Sequence, residues 1–209
     1  MRYAENGDLL DFIQKTGPIP EQLSKLWFRQ ITSGIQYLHR MNIAHRDLKC
    51  ENILLTKKFH IKLADFGFAR YCVNQDGLRV LSHTYCGSAA YAAPEIVGGV
   101  PYNPKLADVW SLGVILFIMF NGVMPFDDEH LPNLLKTQWN KKWSFLPELR
   151  QIISTPAKNL VKNLLEPDIT QRLTIEMVAN HEWLCSRKEE PRFYSENITS
   201  PTHSQVKIQ

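Results

Sequence analysis

The chain has 209 residues, of which 44% are apolar and 22% charged, and a formal net charge of +3. That length supports one domain with a sizeable core. The composition is that of an ordinary soluble globular protein, and the basic excess is too small to indicate nucleic acid. Four cysteines (Cys50, Cys72, Cys86, Cys185) stand without C-x-x-C spacing, so neither zinc nor a disulfide framework is indicated and reduced, intracellular thiols are expected.

Gly7 permits a turn near the start of the chain, and the residues from Asp8 to Ile13 predict a short helix. No charged start followed by an apolar stretch is visible, so no signal peptide is expected. Gly17-Pro18-Ile19-Pro20 stops that helix, and Pro20 is placed to start the next. Leu23, Trp27, Ile31, Ile35 and Leu38 then fall at helical spacing, which predicts an amphipathic helix over 21–40 with a core-facing stripe. Ile53-Leu54-Leu55 and Ile61-Lys62-Leu63 flank a polar turn as a short hairpin. Residues 65 to 95 lack periodicity, with Asn74-Gln75-Asp76-Gly77 as a polar turn, and so long a stretch is usually functional or disordered.

Residues 106 to 121 are apolar nearly all round, which predicts a buried helix with Asp108 and Ser111 as its polar interior residues. A buried Asp108 demands partners. The apolar run from Leu112 to Phe120 is taken as too short to span a bilayer, and no membrane partner is expected. Met124-Pro125-Phe126 breaks the helix, and a shorter one is predicted over 132–139. Trp139-Asn140-Lys141-Lys142-Trp143 mixes aromatics with cations; packing on the preceding helix with solvated lysines is expected rather than nucleic-acid binding. Helices are predicted over 156–166 and 174–184, with Thr174 as an N-cap. His83 and His181 lack acidic or cysteine neighbours at ligand spacing, and surface or packing roles are expected for both. From 185 to 209 the composition turns polar, and a flexible tail is expected.

One stretch carries chemistry. His45-Arg46-Asp47-Leu48-Lys49-Cys50-Glu51-Asn52 sets a carboxylate, a lysine and an amide on one tight loop, and Asp65-Phe66-Gly67 adds a second carboxylate at the end of the hairpin. Asp47 can take a proton from an attacking hydroxyl. Lys49 can sit against a transferring phosphoryl group, and Asn52 with Asp65 can offer hard oxygens to Mg²⁺. Either motif alone is as readily a plain turn. Ala93-Pro94-Glu95, Asp108-Val109-Trp110-Ser111-Leu112-Gly113 and Arg172 follow in order. Together these motifs resemble a eukaryotic-type protein kinase, with a full match to H-R-D-L-x-x-x-N and D-F-G, and Lys49 resembles the serine/threonine type.

The resemblance implies a mainly α fold with a small β-hairpin, corresponding to a kinase C-terminal lobe from the hinge onward over residues 1–184. It implies ATP and Mg²⁺ as cofactors, Asp47 and Lys49 as catalytic residues, and Asn52 and Asp65 as metal ligands. Leu54 would lie under the adenine ring, with Glu51 also on the cofactor side. Asp8 and Glu51 would receive a basic residue upstream of the target Ser or Thr, and Ile118 stands where some basophilic kinases add a further acid. Residues 65–95 would form the activation segment, with Ser88 facing substrate and Thr84 as a phosphosite met by Arg46 and Arg70. His45, Phe66 and Asp108 would be structural, Asp108 bonding backbone amides of the catalytic loop, and Glu95 would pair with Arg172 in the core.

The runs from Thr84 to Glu95 and from Asp65 to Arg70 are most similar to the testis-specific serine/threonine kinases, within the calcium/calmodulin-dependent-like branch, although Ala89 stands where that branch usually has Pro. Protein substrates with Ser or Thr acceptors, an upstream activating kinase and a cytoplasmic location are implied. The Gly-rich loop, the strand lysine and its glutamate partner, upstream in the family, have no counterpart here, so half of the ATP clamp is expected to be missing. Two functions follow: a serine/threonine kinase represented without its N-terminal lobe and inactive on its own, or a truncated, catalytically silent module that binds kinase partners or substrates.

Overall fold

The structure, a computed structural model, describes residues 4–78, 80–84 and 87–186. Residues 187–209 of the expected tail and residues 1–3 of the hinge segment lie outside the described residues, while Cys185, where the tail was expected to begin, ends a helix. Helix α1 (Leu9–Thr16) begins where Asp8 Oδ1 accepts the Asp11 amide at 2.8 Å and stops at Gly17, whose positive φ of 81° ends the turn. Helix α2 (Glu21–Arg40) buries Leu23, Trp27, Ile31 and Ile35, the stripe that its sequence spacing foretold. Its first residue is a tie point as well. Glu21 accepts from the Ser154 amide and hydroxyl at 2.7 and 2.6 Å and from the Trp183 indole at 2.8 Å.

Two small antiparallel sheets follow. Strand β1 (Ile43–Ala44) pairs with β4 (Arg70–Tyr71), and β2 (Ile53–Leu55) pairs with β3 (Ile61–Leu63) in the register Ile53↔Leu63, Leu55↔Ile61. Only the second was expected. A two-residue pair such as β1–β4 carries no alternation to detect, and its partner falls inside the segment that looked aperiodic.

Helix α3 (Pro94–Val97) leads to α4 (Pro104–Asn121), around which the remaining helices assemble: α5 (Leu131–Trp139), α6 (Thr155–Leu164), α7 (Ile175–Ala179) and α8 (Glu182–Cys185). Helix α4 packs on α2, α6 and α7. A Cβ on Gly113 would meet the Leu164 Cβ at 2.8 Å, so the close approach of α4 to α6 requires glycine there. By length and composition α4 is apolar enough to cross a membrane, contrary to the shorter span read from the sequence, but 83% of it is buried inside the fold. It is the core helix here.

The expected single helix over 174–184 is two. Thr174 caps α7 through the Met177 amide, the chain turns at Asn180, and His181 Nδ1 accepts the Trp183 amide at 3.2 Å to start α8. Burial holds the His181 imidazole below its ordinary pKa, which suits a neutral acceptor. The aromatic–lysine run also divides. Trp143 packs edge-on against Phe117 and Phe145, Lys141 and Lys142 are exposed as expected, with Lys141 paired to Glu166 at 2.6 Å, and Trp139 is 54% exposed.

The Glu95–Arg172 pair forms as the resemblance implied. Arg172 Nη1 and Nη2 donate to Glu95 Oε1 and Oε2 at 2.7 and 2.9 Å. Its Nε and Nη1 donate on to the Glu166 and Leu106 carbonyls, and its guanidinium lies 5.1 Å from the Trp110 ring centroid. Both residues are buried, at 3% and 8% exposure. Breaking such a pair from one side leaves an uncompensated charge in the core, so Arg172→Ala should lower stability by about 3–5 kcal/mol. Arg172→Lys should not restore it, because an ammonium cannot supply the two-pronged donor. Urea unfolding checks this; an Arg172→Ala midpoint equal to the parent's would contradict it.

Candidate active site

The loop from His45 to Asn52 runs from β1 to a 3₁₀ turn (Cys50–Asn52) that opens directly into β2. Asp108, on the first turns of α4 and 1% exposed, holds it from beneath. Its Oδ2 accepts the His45 amide at 2.9 Å and hydrogen-bonds His39 Nε2 at 2.8 Å, and its Oδ1 accepts the Arg46 amide at 2.8 Å. Those bonds fix Arg46 at a φ of 68°, a left-handed backbone that a side-chain-bearing residue rarely adopts. His45 is completed by its Nε2 against the Ala64 carbonyl at 3.0 Å and by its ring 5.0 Å from that of Phe66.

The reactive groups stand on that support. Lys49 Nζ lies 3.0 Å from Asp47 Oδ2 and donates to Ser88 Oγ at 3.4 Å. Asn52 Nδ2 donates to the Asp47 carbonyl and to Oδ2 at 2.8 and 3.1 Å. A carboxylate so clamped keeps one orientation. Gly87 closes over it, since a Cβ there would lie 2.9 Å from the Arg46 carbonyl and 3.2 Å from Asp47 Oδ1, and its φ is +89°. The structure thus brings Asp47, Lys49, Asn52 and Ser88 together.

Asp65 sits beside them. The Ala64 amide donates to the Asn52 carbonyl at 2.9 Å, so Asn52 and Asp65 share one end of the β2–β3 hairpin. Asp65 is exposed, at a φ of 55°, with Oδ1 accepting the Gly67 amide at 3.2 Å. Because Asn52 commits its amide nitrogen to Asp47, its Oδ1 is the end left for a cation. Mg²⁺ in nucleotide sites takes one or two protein carboxylate or amide oxygens plus phosphates and water, and that is the donor set here. These residues fit the ion.

Asp8 stands just ahead of α1, and Glu51 lies in the 3₁₀ turn on which α1 packs. Burial above all, with smaller contributions from Glu51 and Asp8, pushes the Cys50 thiol up to about 12. Glu51 Oε2 accepts the Tyr91 hydroxyl at 3.3 Å, while Asp8 is engaged as the cap of α1 and bridges Leu54. Ile118 is 2% exposed in the α4 core and cannot reach a substrate. Thr84 is exposed, and its carbonyl accepts the Tyr102 hydroxyl at 3.0 Å. Arg46 Nη1 donates to Ser82 Oγ at 3.4 Å, two residues short of Thr84, and Arg70 is exposed on β4 opposite Ala44. Tyr85 and Cys86 lie outside the described residues.

Sequence reading missed three residues of the site. His39 was hidden because its partner Asp108 is 69 positions away, and Lys105, which donates to the His39 carbonyl and Asn42 Oδ1, for the same reason. Tyr91 joins Glu51, the Cys50 amide and, through its carbonyl, the Ser111 hydroxyl. Its one sequence signal is its place in the loop before Ala93-Pro94-Glu95.

A buried carboxylate clamped by a lysine and an amide thus stands beside a second, exposed carboxylate. The protein kinase domain model matches residues 1–184, and the chain belongs to that family. Its similarity to serine/threonine kinases is direct. It is 46% identical over 185 residues to testis-specific serine/threonine-protein kinase 2 of Mus musculus, covering 88% of this chain and 51% of that protein. Against testis-specific serine/threonine-protein kinase 3 of Mus musculus the identity is 48%, over 89% of this chain and 67% of the relative. Serine/threonine protein kinase OSK3 of Oryza sativa subsp. indica is 42% identical over 90% of this chain and 35% of its own length. The chain spans about half the length of the first two mouse relatives it matches, kinases 1 and 2.

Proposed function

We propose that these 209 residues carry the substrate-side half of an ATP-dependent protein serine/threonine kinase. The observation that carries this reading is the Asp47 carboxylate, held by Lys49 and Asn52 next to Ser88 of the acceptor-facing loop. Asp47 accepts the proton of the incoming Ser or Thr hydroxyl. Lys49 offsets the charge that gathers beside it, and Ser88 fixes the lysine. Bound Mg²⁺, held by Asn52 and Asp65, would neutralise charge on the nucleotide phosphates. Leu54, half-buried on β2, supplies an apolar surface for the adenine, with Glu51 on the same side.

The Gly-rich loop and strand lysine of protein kinases have no counterpart in the 209 residues. Positioning and electrostatic stabilisation dominate phosphoryl transfer, so the chain alone should give negligible transfer from ATP and Mg²⁺. One observation favours a second reading, a silent binding module: Phe66 and Phe68 are 48% and 45% exposed, which leaves the Asp65–Gly67 face open to a partner.

Joining the Gly-rich lobe of mouse testis-specific kinase 3 ahead of Gly7 separates the two. The kinase reading predicts phosphorylation of a peptide library, strongest where arginine lies a few positions before the acceptor, facing Asp8 and Glu51. Asp47→Asn in that chimera should lower transfer about 10²–10⁴-fold. A folded but inactive chimera, or an Asp47→Asn variant as fast as its parent, would leave only the binding module. Equal transfer to peptides with and without arginine would remove the assignment of Asp8 and Glu51.

Thr84 is proposed as the site modified by an upstream activating kinase. Its exposure and the two cations Arg46 and Arg70 beside its segment support this. A phosphate there would gain charge-assisted hydrogen bonds and order the loop. Mass spectrometry of active enzyme should find Thr84 phosphorylated; active enzyme with Thr84 unmodified would contradict it.

A further inference from the structure

Helices α3 and α5 and the turn before Arg172 line a cleft of about 260 Å³ that shares no residue with the Asp47 site. Its walls are Pro94, Val100, Leu135, Trp139, Pro167 and Ile169, and its floor includes Glu95, already spent on Arg172. Val100, Trp139 and Ile169 come from three separate stretches of chain, yet are 52%, 54% and 45% exposed and converge on this one concavity. Leu131, one turn before Leu135 and 45% exposed, extends the stripe along α5. Isolated exposed apolar residues need no explanation, whereas a contiguous concave set built around a tryptophan marks an interaction surface. The volume falls below the roughly 300–1,000 Å³ of small-molecule pockets and suits one or two bulky side chains.

The charges around the cleft select its occupant. Asp168 stands on the rim, and hydrogen bonds from the Thr170 hydroxyl and amide hold its carboxyl below the usual range. Asp127, Asp128 and Glu129, all exposed, lie in the turn leading into α5, so carboxylates stand at the N-terminal end of the apolar stripe and, through Asp168, on the cleft itself, while Lys142 is exposed beyond Trp139. Lys141, at the far end of α5, is paired with Glu166. We infer that this cleft docks a cationic amphipathic segment of a protein partner, which inserts a bulky apolar side chain against Trp139 and sets its lysines or arginines against Asp168 and the acidic turn. The cleft is also linked to the acceptor-facing loop. Gln138, fully buried on the inner side of α5, donates to the Ala92 carbonyl at 2.9 Å. A partner held on the outer face of α5 is therefore held in register with that loop, which makes a substrate or scaffold the natural occupant.

The test uses the full 209-residue chain and a fluorescein-labelled amphipathic peptide with leucines at i, i+4 and i+7 and lysines between them, read by anisotropy. Saturable binding is expected that weakens with salt and falls at least tenfold in Trp139→Ala and in Ile169→Lys, both melting like the parent. The same peptide with glutamates in place of lysines should not bind. Equal binding of the two peptides, or full binding to Ile169→Lys, would overturn the proposal; that variant adds a repelling cation at an exposed position and does not depend on Trp139→Ala folding. Concentration-dependent dimerisation abolished by Ile169→Lys would assign the cleft to a second copy instead. Binding that appears only after deletion of residues 187–209 would assign it to the chain's own C-terminal segment.

Discussion

Asp108 is a charge placed in the most apolar helix of the molecule, and a charge so buried persists only when its lone pairs are occupied. Here they are occupied by His39 and by the amides of His45 and Arg46. The dependence runs both ways. Those amides would otherwise be turned inward without acceptors, at about 1–3 kcal/mol each, and Arg46 would have no reason to remain at positive φ. The loop that carries Asp47 is therefore positioned by the core helix rather than by its own sequence. Lys105 doubles the link from the same helix, one turn earlier, by donating to the His39 carbonyl and Asn42 Oδ1.

The segment that passes over Asp47 shows the same construction. Between Gly87 and Glu95 it is fixed by the close pass of Gly87 over Arg46, by Ser111 on the Tyr91 carbonyl, by Gln138 on the Ala92 carbonyl and by the Glu95–Arg172 pair. The preceding part leaves Tyr71, Leu78, Val80 and Leu81 exposed and is held through β4, the Cys72 amide on the Asn42 carbonyl, the bridge from Ser82 to Tyr102, and the bonds from Arg46 to Ser82 and from Tyr102 to Thr84. The attachments to the core are thus concentrated over Asp47, while Thr84 lies exposed in the preceding part.

What was legible in the sequence follows from the range of the interactions. Helices α1, α2 and α4 and the β2–β3 hairpin are written in local period, and Thr174 marks the start of α7 as its cap. The loop motif gave Asp47, Lys49, Asn52 and Asp65 together because its spacing is short. The break at Asn180 was invisible because neither Gly nor Pro signals it; a histidine side chain makes the new cap. His39, Tyr91 and Gln138 act across 69, 41 and 46 positions, and no local pattern encodes those meetings.

Amide hydrogen exchange at His45 and Arg46 reports most directly on whether Asp108 builds the site. In the parent these amides should be protected nearly as well as the interior of α4. Asp108→Asn keeps the shape but turns one acceptor into a donor facing an N–H. It should speed exchange at His45 and Arg46 roughly 10–100-fold, from the loss of about 1–3 kcal/mol of local bonding, while α6 keeps the parent's protection. Unchanged exchange at those two amides in a folded Asp108→Asn protein would mean that the loop holds its own shape, and that Asp108 does not position Asp47.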